Sequence, residues 1–179
     1  EIAKRTNTQS VLLTFSPHPR YVLHPDDQDM KLINTMQEKQ LLLEKAGLDN
    51  LVVHEFTKEF SRIKSANFVR DVLVEKLKIH TLVIGYDHHF GRNREGSIKE
   101  LMGFSELYDF SIDIVSPQIF DDVVVSSTKI RQLIEKGEME KANHYLGYTF
   151  SLFGEVIKGN SIGQEIGFPT ANIEIKNKW

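Results

Sequence analysis

Hydroxyl and cationic side chains cluster at residues 126–131, which read Ser-Ser-Thr-Lys-Ile-Arg. Apolar residues at helical spacing follow, so Ser127 or Thr128 is predicted to open a short helix. Hydroxyls and unpaired backbone N–H groups converge at a helix start, where the helix dipole is positive. The cations Lys129 and Arg131 make such a start suitable for an anion. A plain N-cap with a charged first turn explains the same residues equally well.

Two further segments have the composition of ligand loops. Residues 16–20 read Ser-Pro-His-Pro-Arg, where two prolines fix the backbone and His18 and Arg20 can face an anion. Residues 85–91 read Gly-Tyr-Asp-His-His-Phe-Gly, where glycine permits close backbone approach and Phe90 can pack on a planar ring. The adjacent histidines point apart and lack a third ligand, so we predict no metal there. The alternatives are a rigid exit from a strand and a loop anchored by a buried Phe.

Residues 163–172 combine glycines with neutral oxygen donors, reading Gly-Gln-Glu-Ile-Gly-Phe-Pro-Thr-Ala-Asn. Thr170 and Asn172 lie two positions apart and therefore face the same side of a strand. Such donors suit a Mg²⁺ ion that keeps its waters and also binds phosphates. A turn with a β-bulge is the alternative interpretation.

The elements that would position these residues alternate between strands and helices. Short apolar runs predict buried parallel strands at residues 11–15, 51–56, 81–86 and 112–115. Alternation with helices predicts a parallel sheet covered on both faces, with ligands beyond the carboxyl ends of the strands. Three segments then share one rim: residues 16–20, 86–94 and 125–128.

Helix starts are predicted from their caps. Thr35 with Glu38, and Ser97 with Glu100, have the spacing of capping boxes, and Ser65 is predicted as a further N-cap. A last short helix is predicted over residues 138–146.

The pattern changes after Gly147. Residues 148–157 alternate as a strand does, glycine recurs every four residues from Gly159 to Gly167, and residues 172–175 form another strand-like run. We therefore predict a domain boundary near residue 146.

Composition excludes several classes of protein. The 179 residues are 40% hydrophobic and 26% charged, as in a globular protein, with no apolar run long enough for a membrane helix. A net charge of -3 offers no broad basic field, so neither nucleic acid nor a membrane is an expected partner. The absence of cysteine excludes thiolate chemistry and fits a cytoplasmic location. Residues 1–9 resemble the tail of a helix, and residues 176–179 directly follow a strand-like run, so we expect a fragment.

The four motifs, taken in order, resemble the bifunctional bacterial riboflavin kinase/FAD synthetase family. The resemblance covers nearly the whole chain, and the Gly-Phe-Pro-Thr-Ala-Asn segment is the most specific motif. It implies a Rossmann-like α/β nucleotidyltransferase domain over residues 1–146, which would adenylylate FMN to FAD. It further implies the start of a β-barrel riboflavin kinase domain over residues 147–179. ATP and Mg²⁺ serve both reactions in the family.

The resemblance also implies roles for particular residues. The residues implied to bind ATP phosphates are Ser127, Thr128 and Arg131. Asp87 and Phe90 would lie at the flavin or adenine pocket, whose wall Pro17 and Pro19 would shape. Thr170 and Asn172 would bind Mg²⁺ and nucleotide phosphates.

The chain departs from the family at several places. The family's His-x-Gly-His element and its catalytic kinase Glu are expected outside these residues, so no catalytic residue is predicted and both activities are expected to be incomplete. His88-His89 replaces Phe-Arg, and Val124 replaces a frequent Arg. Two alternatives stay open: a nucleotidyltransferase for another phosphorylated acceptor, and a non-catalytic flavin- or nucleotide-binding module. No oligomeric state is predicted, because the sequence has no clear interface pattern.

Overall fold

A computed structural model describes residues 1–26, 31–120, 122–159, 162–165 and 167–175. The chain forms two compact units. The first comprises Glu1–Gln28 and Ala46–Ile119, and the second comprises Asp29–Lys45 and Phe120–Trp179.

The first unit is built on two small parallel sheets. Strand β1 (Val11–Ser16) pairs with β2 (Asn50–Glu55), and β3 (Thr81–Gly85) pairs with β4 (Ser111–Val115). These elements confirm the four predicted strands, each within a residue of its expected bounds. The register places Leu13 opposite Val52 in one sheet and Val83 opposite Asp113 in the other. The fold is therefore mixed α/β with parallel pairing, as predicted.

The two pairs do not join into one sheet among the described residues. Both β1 and β3 line a cavity of about 1300 Å³, to which β2 contributes nothing and β4 only Asp113. Apolar side chains at Val11, Leu12 and Val83 are correspondingly exposed. The edges of β1 and β3 that do not pair with β2 and β4 thus border the same space.

Helices surround these strands. In the first unit they are α1 (Ile2–Thr6), α2 (Pro19–Leu23), α4 (Ser65–Asn67) continuing as a π-helix (Phe68–Lys76), and α5 (Ile98–Tyr108), with 3-10 turns at Phe60–Arg62 and Arg92–Arg94. In the second unit they are α3 (Met36–Lys45), α6 (Ser127–Glu135), α7 (Met139–Leu146) and α8 (Ile162–Glu165). The short strands β5 (Ile119–Phe120) and β6 (Val123–Val124) precede α6.

The core of the first unit joins the π-helix, β3 and α5. Its buried members are Val69, Leu73, Ile84, Phe90, Leu101 and Phe110. Because Phe90 belongs to this cluster, the loop after β3 is fixed to the core rather than only to its neighbours in sequence.

The two predicted capping boxes are confirmed. The N–H of Thr35 donates to Glu38 Oε2 (2.8 Å) while the N–H of Glu38 donates to Thr35 Oγ1 (3.2 Å). Ser97 and Glu100 make the same reciprocal bonds. The predicted Ser65 cap is wrong, because α4 begins at Ser65 itself, without a side-chain cap.

Strand structure in the second unit is shorter than predicted. Only β7 (Glu155–Ile157) forms within residues 148–157, and it pairs antiparallel with β8 (Asn172–Glu174). The residues after α7 bond instead to α7 and to the segment before α3: the N–H of Phe150 donates to Asn143 Oδ1 (2.7 Å) and the Tyr148 hydroxyl to Asn34 Oδ1 (2.8 Å). These bonds hold the segment away from a strand ladder.

Candidate functional site

The first predicted loop follows β1 and turns directly into α2. Pro19 is the first residue of this helix, where its fixed φ is favourable and its missing N–H costs nothing. The side chain of His18 accepts the N–H of Arg20 through Nδ1 (3.2 Å) and packs edge-on against Tyr21. His18 therefore caps a helix in this structure, and Pro17 is exposed beside it.

The second loop follows β3 and is anchored by Phe90, which is 9% exposed. The backbones of Phe90 and Gly96 exchange two hydrogen bonds (3.2 and 2.9 Å), and the ring lies directly over Gly96. A Cβ at Gly96 would lie 2.6 Å from that ring, so only glycine permits the contact. Asp87 is exposed at the start of the loop.

His88 stacks on Phe90, with ring centroids 6.1 Å apart and planes 14° from parallel. Partial burial, followed by the charge of His89, lowers the pKa of His88, while the carboxylate of Asp87 opposes that change. The neutral imidazole is therefore favoured in the folded protein.

An aromatic cluster lies at the carboxyl ends of β1 and β2. It was not predicted from the sequence. The rings of Phe15, His54, Phe56, Phe60 and Phe68 are linked by centroid distances from 4.4 to 6.4 Å. Phe68 continues to Phe90 at 6.1 Å. The spacing of His54 and Phe56, two apart on a strand, was the available signal, because such residues share one face.

The large cavity brings the two loops together. Pro19 of the first loop and residues 88–91 of the second both line it, as do Phe15, Phe56 and Phe60. Pro17 and Asp87 do not line it. The rim end of this cavity is aromatic, and planar apolar groups pack well in such surroundings.

The predicted anion site lies in the second unit, at the start of α6. Ser126 is the N-cap, and its Oγ accepts the N–H of Lys129 (3.4 Å). Ser127 and Thr128 occupy the first turn with exposed side chains. Arg131 is half-buried, and its Nε donates to the backbone carbonyl of Lys31, whose ammonium pairs with Glu135 at 3.1 Å. The Arg131 guanidinium is thus held in place by α6 and the segment before α3.

Thr170 and Asn172 sit against glycines of the same unit. A Cβ at Gly163 would lie 3.0 Å from Thr170 Oγ1, and one at Gly159 would clash with the Asn172 amide. Glycine at these two positions therefore leaves room for the side chains of Thr170 and Asn172, which carry the two neutral oxygen donors. Within the part of the chain that the structure describes, no group of three or more His, Cys, Asp or Glu side chains could hold a metal.

Parallel strands with polar and glycine-containing loops at their carboxyl ends define an α/β protein of the class that binds ligands at a sheet rim. A family model described as FAD synthetase matches residues 1–129, and one described as riboflavin kinase matches residues 146–179. The chain belongs to the FAD synthetase family.

Curated relatives carry the description bifunctional riboflavin kinase/FMN adenylyltransferase. That of Listeria monocytogenes is 36% identical over 179 residues, covering 100% of this chain and 56% of the relative. Those of Buchnera aphidicola from Schizaphis graminum and of Escherichia coli K12 are 33% and 32% identical, covering 98% and 99% of this chain and 56% of each relative. The chain thus spans about half the length of these relatives.

A solved structure from Streptococcus pneumoniae, described as a macrolide-efflux protein, superimposes with a TM-score of 0.88. It is 28% identical and is matched over 99% of this chain and 57% of its own. Among the described residues, no helix of this chain is long and apolar enough to cross a membrane.

Proposed function

We propose that the protein is a transferase of FAD biosynthesis, which phosphorylates riboflavin to FMN and adenylylates FMN to FAD. The observation that carries the proposal is the FAD synthetase match over residues 1–129, which includes β1 to β4, both rim loops and the start of α6. The riboflavin kinase match over residues 146–179 supports the first reaction. A cytoplasmic location belongs to the same proposal, because both reactions consume ATP.

Adenylyl transfer sets clear demands on the protein. A phosphate oxygen of FMN attacks the α-phosphorus of ATP, the bond from that phosphorus to the bridging oxygen breaks, and pyrophosphate leaves. No covalent enzyme intermediate is needed, so alignment and charge neutralisation supply the rate. Ser127, Thr128 and the free N–H groups of α6 are proposed to bind ATP phosphates, with Arg131 as the cation.

The flavin is proposed to bind at the rim of the first unit. Phe90 and Pro19 shape the aromatic end of the cavity, and this geometry supports contact with a planar ring. Asp87 and Pro17 are exposed next to that end and remain proposed contacts to the flavin or adenine. Phe90 is proposed as a wall residue, because most of its own surface is already buried in the core.

The domain boundary near residue 146 is part of the proposal, with the adenylyltransferase domain before it and the kinase domain after it. In a doubly wound parallel sheet, a central strand separates two pairs of strands, and β2-β1 and β3-β4 would be those two pairs. The cavity between β1 and β3 has the position of such a strand, so we propose that one further parallel strand completes a Rossmann-like nucleotidyltransferase sheet. The β7-β8 pair is proposed as the start of the kinase barrel.

Mg²⁺ is proposed to bind near Thr170 and Asn172 in the kinase half. Two neutral oxygens fit an ion that also takes phosphate oxygens and water, and Thr170 and Asn172 are both exposed. When bound, the ion would neutralise charge on the transferred phosphoryl group. Thr170 and Asn172 themselves would hold the phosphates of ATP in position.

The test uses the full-length gene product that contains these residues, supplied with FMN, ATP and Mg²⁺. FAD and pyrophosphate are expected, and Arg131→Ala should raise the KM for ATP by about tenfold, the loss of one charge-assisted hydrogen bond. Arg131→Lys, which keeps the charge, is the matched control, and thermal unfolding checks that both variants fold. A folded enzyme that makes no FAD would overturn the proposal.

Screening other phosphorylated acceptors under the same conditions addresses the main alternative. A nucleotidyltransferase for a different acceptor would transfer AMP to that compound in preference to FMN. Calorimetry with FAD addresses the binding-module alternative, which predicts tight binding without turnover.

A further inference from the structure

A second, smaller cavity of about 560 Å³ lies in the first unit and is polar and cationic. Its lining residues are Leu23, Lys58, Ser61, Arg62, Arg92 and Asn93. Three cations and two neutral polar side chains therefore converge on one groove, although the Ser61 hydroxyl already donates to the Lys58 carbonyl (2.7 Å). Its side chains come from α2 and from the two 3-10 turns that follow β2 and β3.

The turns that carry the cations are tied together by specific contacts. The N–H of Arg92 donates to the carbonyl of Ile63 (2.9 Å), and the N–H of Ser65 donates to Glu95 Oε1 (3.1 Å). Gly91 has a φ of 72°, and a Cβ there would lie 2.9 Å from the Ser65 backbone. These backbone contacts thus fix the position of Arg92 beside the turn at Phe60–Arg62, whatever the conformation of its side chain.

Within the described part of the chain, the nearby carboxylates form no ion pair with these cations within 4 Å. Glu95 accepts from Ser65, and hydrogen bonds from its own backbone and from Thr57 are the main reasons that the pKa of Glu59 is lowered, with smaller contributions from the charges of Arg62 and Lys58. Between described residues, ion pairs within 4 Å form only at Lys31 and Arg70. Lys58, Arg62 and Arg92 therefore face the groove without a carboxylate in ion-pair contact.

We propose that this groove is a binding site for a phosphate-bearing ligand, held by Lys58, Arg62 and Arg92. Cations that are brought together by backbone contacts repel one another, and a multiply charged anion relieves that repulsion. Phosphate oxygens also match the guanidinium donors in geometry, and the Asn93 amide can add a further hydrogen bond. The groove shares no lining residue with the α6 start, and where its ligand is a flavin nucleotide the inference rests on the flavin binding proposed above.

The groove adjoins the large cavity, because Leu23, Ser61 and Asn93 line both. The phosphate can therefore belong to a free anion or to a flavin nucleotide whose ring lies at the aromatic end. Pyrophosphate, FMN and riboflavin are the probes that separate these sources. Riboflavin has the ring without the phosphate, and pyrophosphate has the phosphate without the ring.

The experiment titrates each probe into the 179-residue chain by calorimetry at low salt. Pyrophosphate or FMN should bind, and Arg62→Ala and Arg92→Ala should each weaken binding by about tenfold. Lys64→Ala, which removes an exposed cation outside the groove, should leave the affinity unchanged. Arg62→Lys should retain most of it, and added salt should weaken the wild-type interaction.

The outcomes distinguish the sources and the proposal itself. Tighter binding of FMN than of pyrophosphate, lost in the arginine variants, assigns the site to a flavin nucleotide, and the reverse order assigns it to a free anion. Binding of neither probe, or affinities that Arg62→Ala and Arg92→Ala leave unchanged in folded proteins, overturns the proposal. FAD formation is measured separately on the full-length protein, so failure of this site is distinguished from failure of the proposed function.

Discussion

Single glycines decide how closely the loop after β3 approaches the core. Gly91 lies against the backbone of Ser65, and Gly96 lies under the ring of Phe90. Either contact would be lost with a Cβ, because the opposing atoms are backbone or a packed ring rather than a mobile side-chain end. The sequence predicted that these glycines permit close approach, but it placed that approach at a ligand rather than at Ser65 and Phe90.

Gly96→Ala should destabilise the protein by about 1–3 kcal/mol, because the new methyl group overpacks against Phe90. Gly103→Ala is the matched control: it lies within α5 with nothing within 4 Å of a Cβ, and should be neutral or stabilising by about 0.5–1 kcal/mol. Urea unfolding measures both. Equal effects of the two substitutions would contradict the packing assigned to Phe90.

His88 should make stability depend on pH. Its pKa is lower in the folded than in the unfolded chain, so above about pH 6.5 neither state is protonated at this group and it contributes nothing. As the pH falls through that value, the unfolded chain gains a proton first and stability decreases. The slope of unfolding free energy between about pH 7 and pH 5 should therefore be smaller in His88→Gln than in the wild type. An unchanged slope would be inconsistent with the partial burial of this imidazole.

At the scale of elements, local signals predicted the structure well and long-range bonds did not. Apolar runs and capping boxes depend on neighbours within a few residues, which is why β1 to β4 and the caps of α3 and α5 were predictable. Residues 148–154 alternate like a strand, yet two of them form hydrogen bonds outside any strand ladder. Tyr148 bonds to Asn34, 114 positions away, and Phe150 bonds to Asn143, seven positions away. The cationic groove escaped prediction for the same reason, since Lys58, Arg62 and Arg92 come from two turns.

Tyr148→Phe tests the bond that holds this segment. Loss of the hydroxyl should cost about 1 kcal/mol in unfolding free energy, since Asn34 loses its donor. Burial raises the pKa of Tyr148, so wild-type stability should fall as the pH rises through about 10, and less so in the variant. Tyr86→Phe, at an exposed tyrosine, is the control. A Tyr148→Phe protein as stable as this control would show that the bond is not formed.

At the scale of the molecule, the proposed flavin site depends on the cavity that β1 and β3 line. In the β1-β2 ladder, Ser10 and Ser16 accept bonds from Asn50 and Phe56. Even-numbered residues of β1 therefore face β2, and the backbone groups of odd-numbered residues face the cavity. The sequence predicted one parallel sheet, whereas the described residues form two separate parallel pairs, and β1 and β3 both line the cavity.

Hydrogen exchange should show this open position directly. In the 179-residue chain, the amides of Leu13 and Phe15 should exchange faster than those of Leu12 and Thr14. In the full-length gene product, a strand in the cavity should slow Leu13 and Phe15 to the same range. Equal protection of all four amides in the shorter chain would mean that this edge of β1 is already paired.

The destination of a labelled phosphate tests the proposed function most directly. With FMN and ATP labelled at the α-phosphate, the full-length protein should form labelled FAD and unlabelled pyrophosphate in equal amounts. With riboflavin and ATP labelled at the γ-phosphate, it should form labelled FMN. Transfer of the α-label to a different acceptor, or of neither label from a folded protein, would contradict the account.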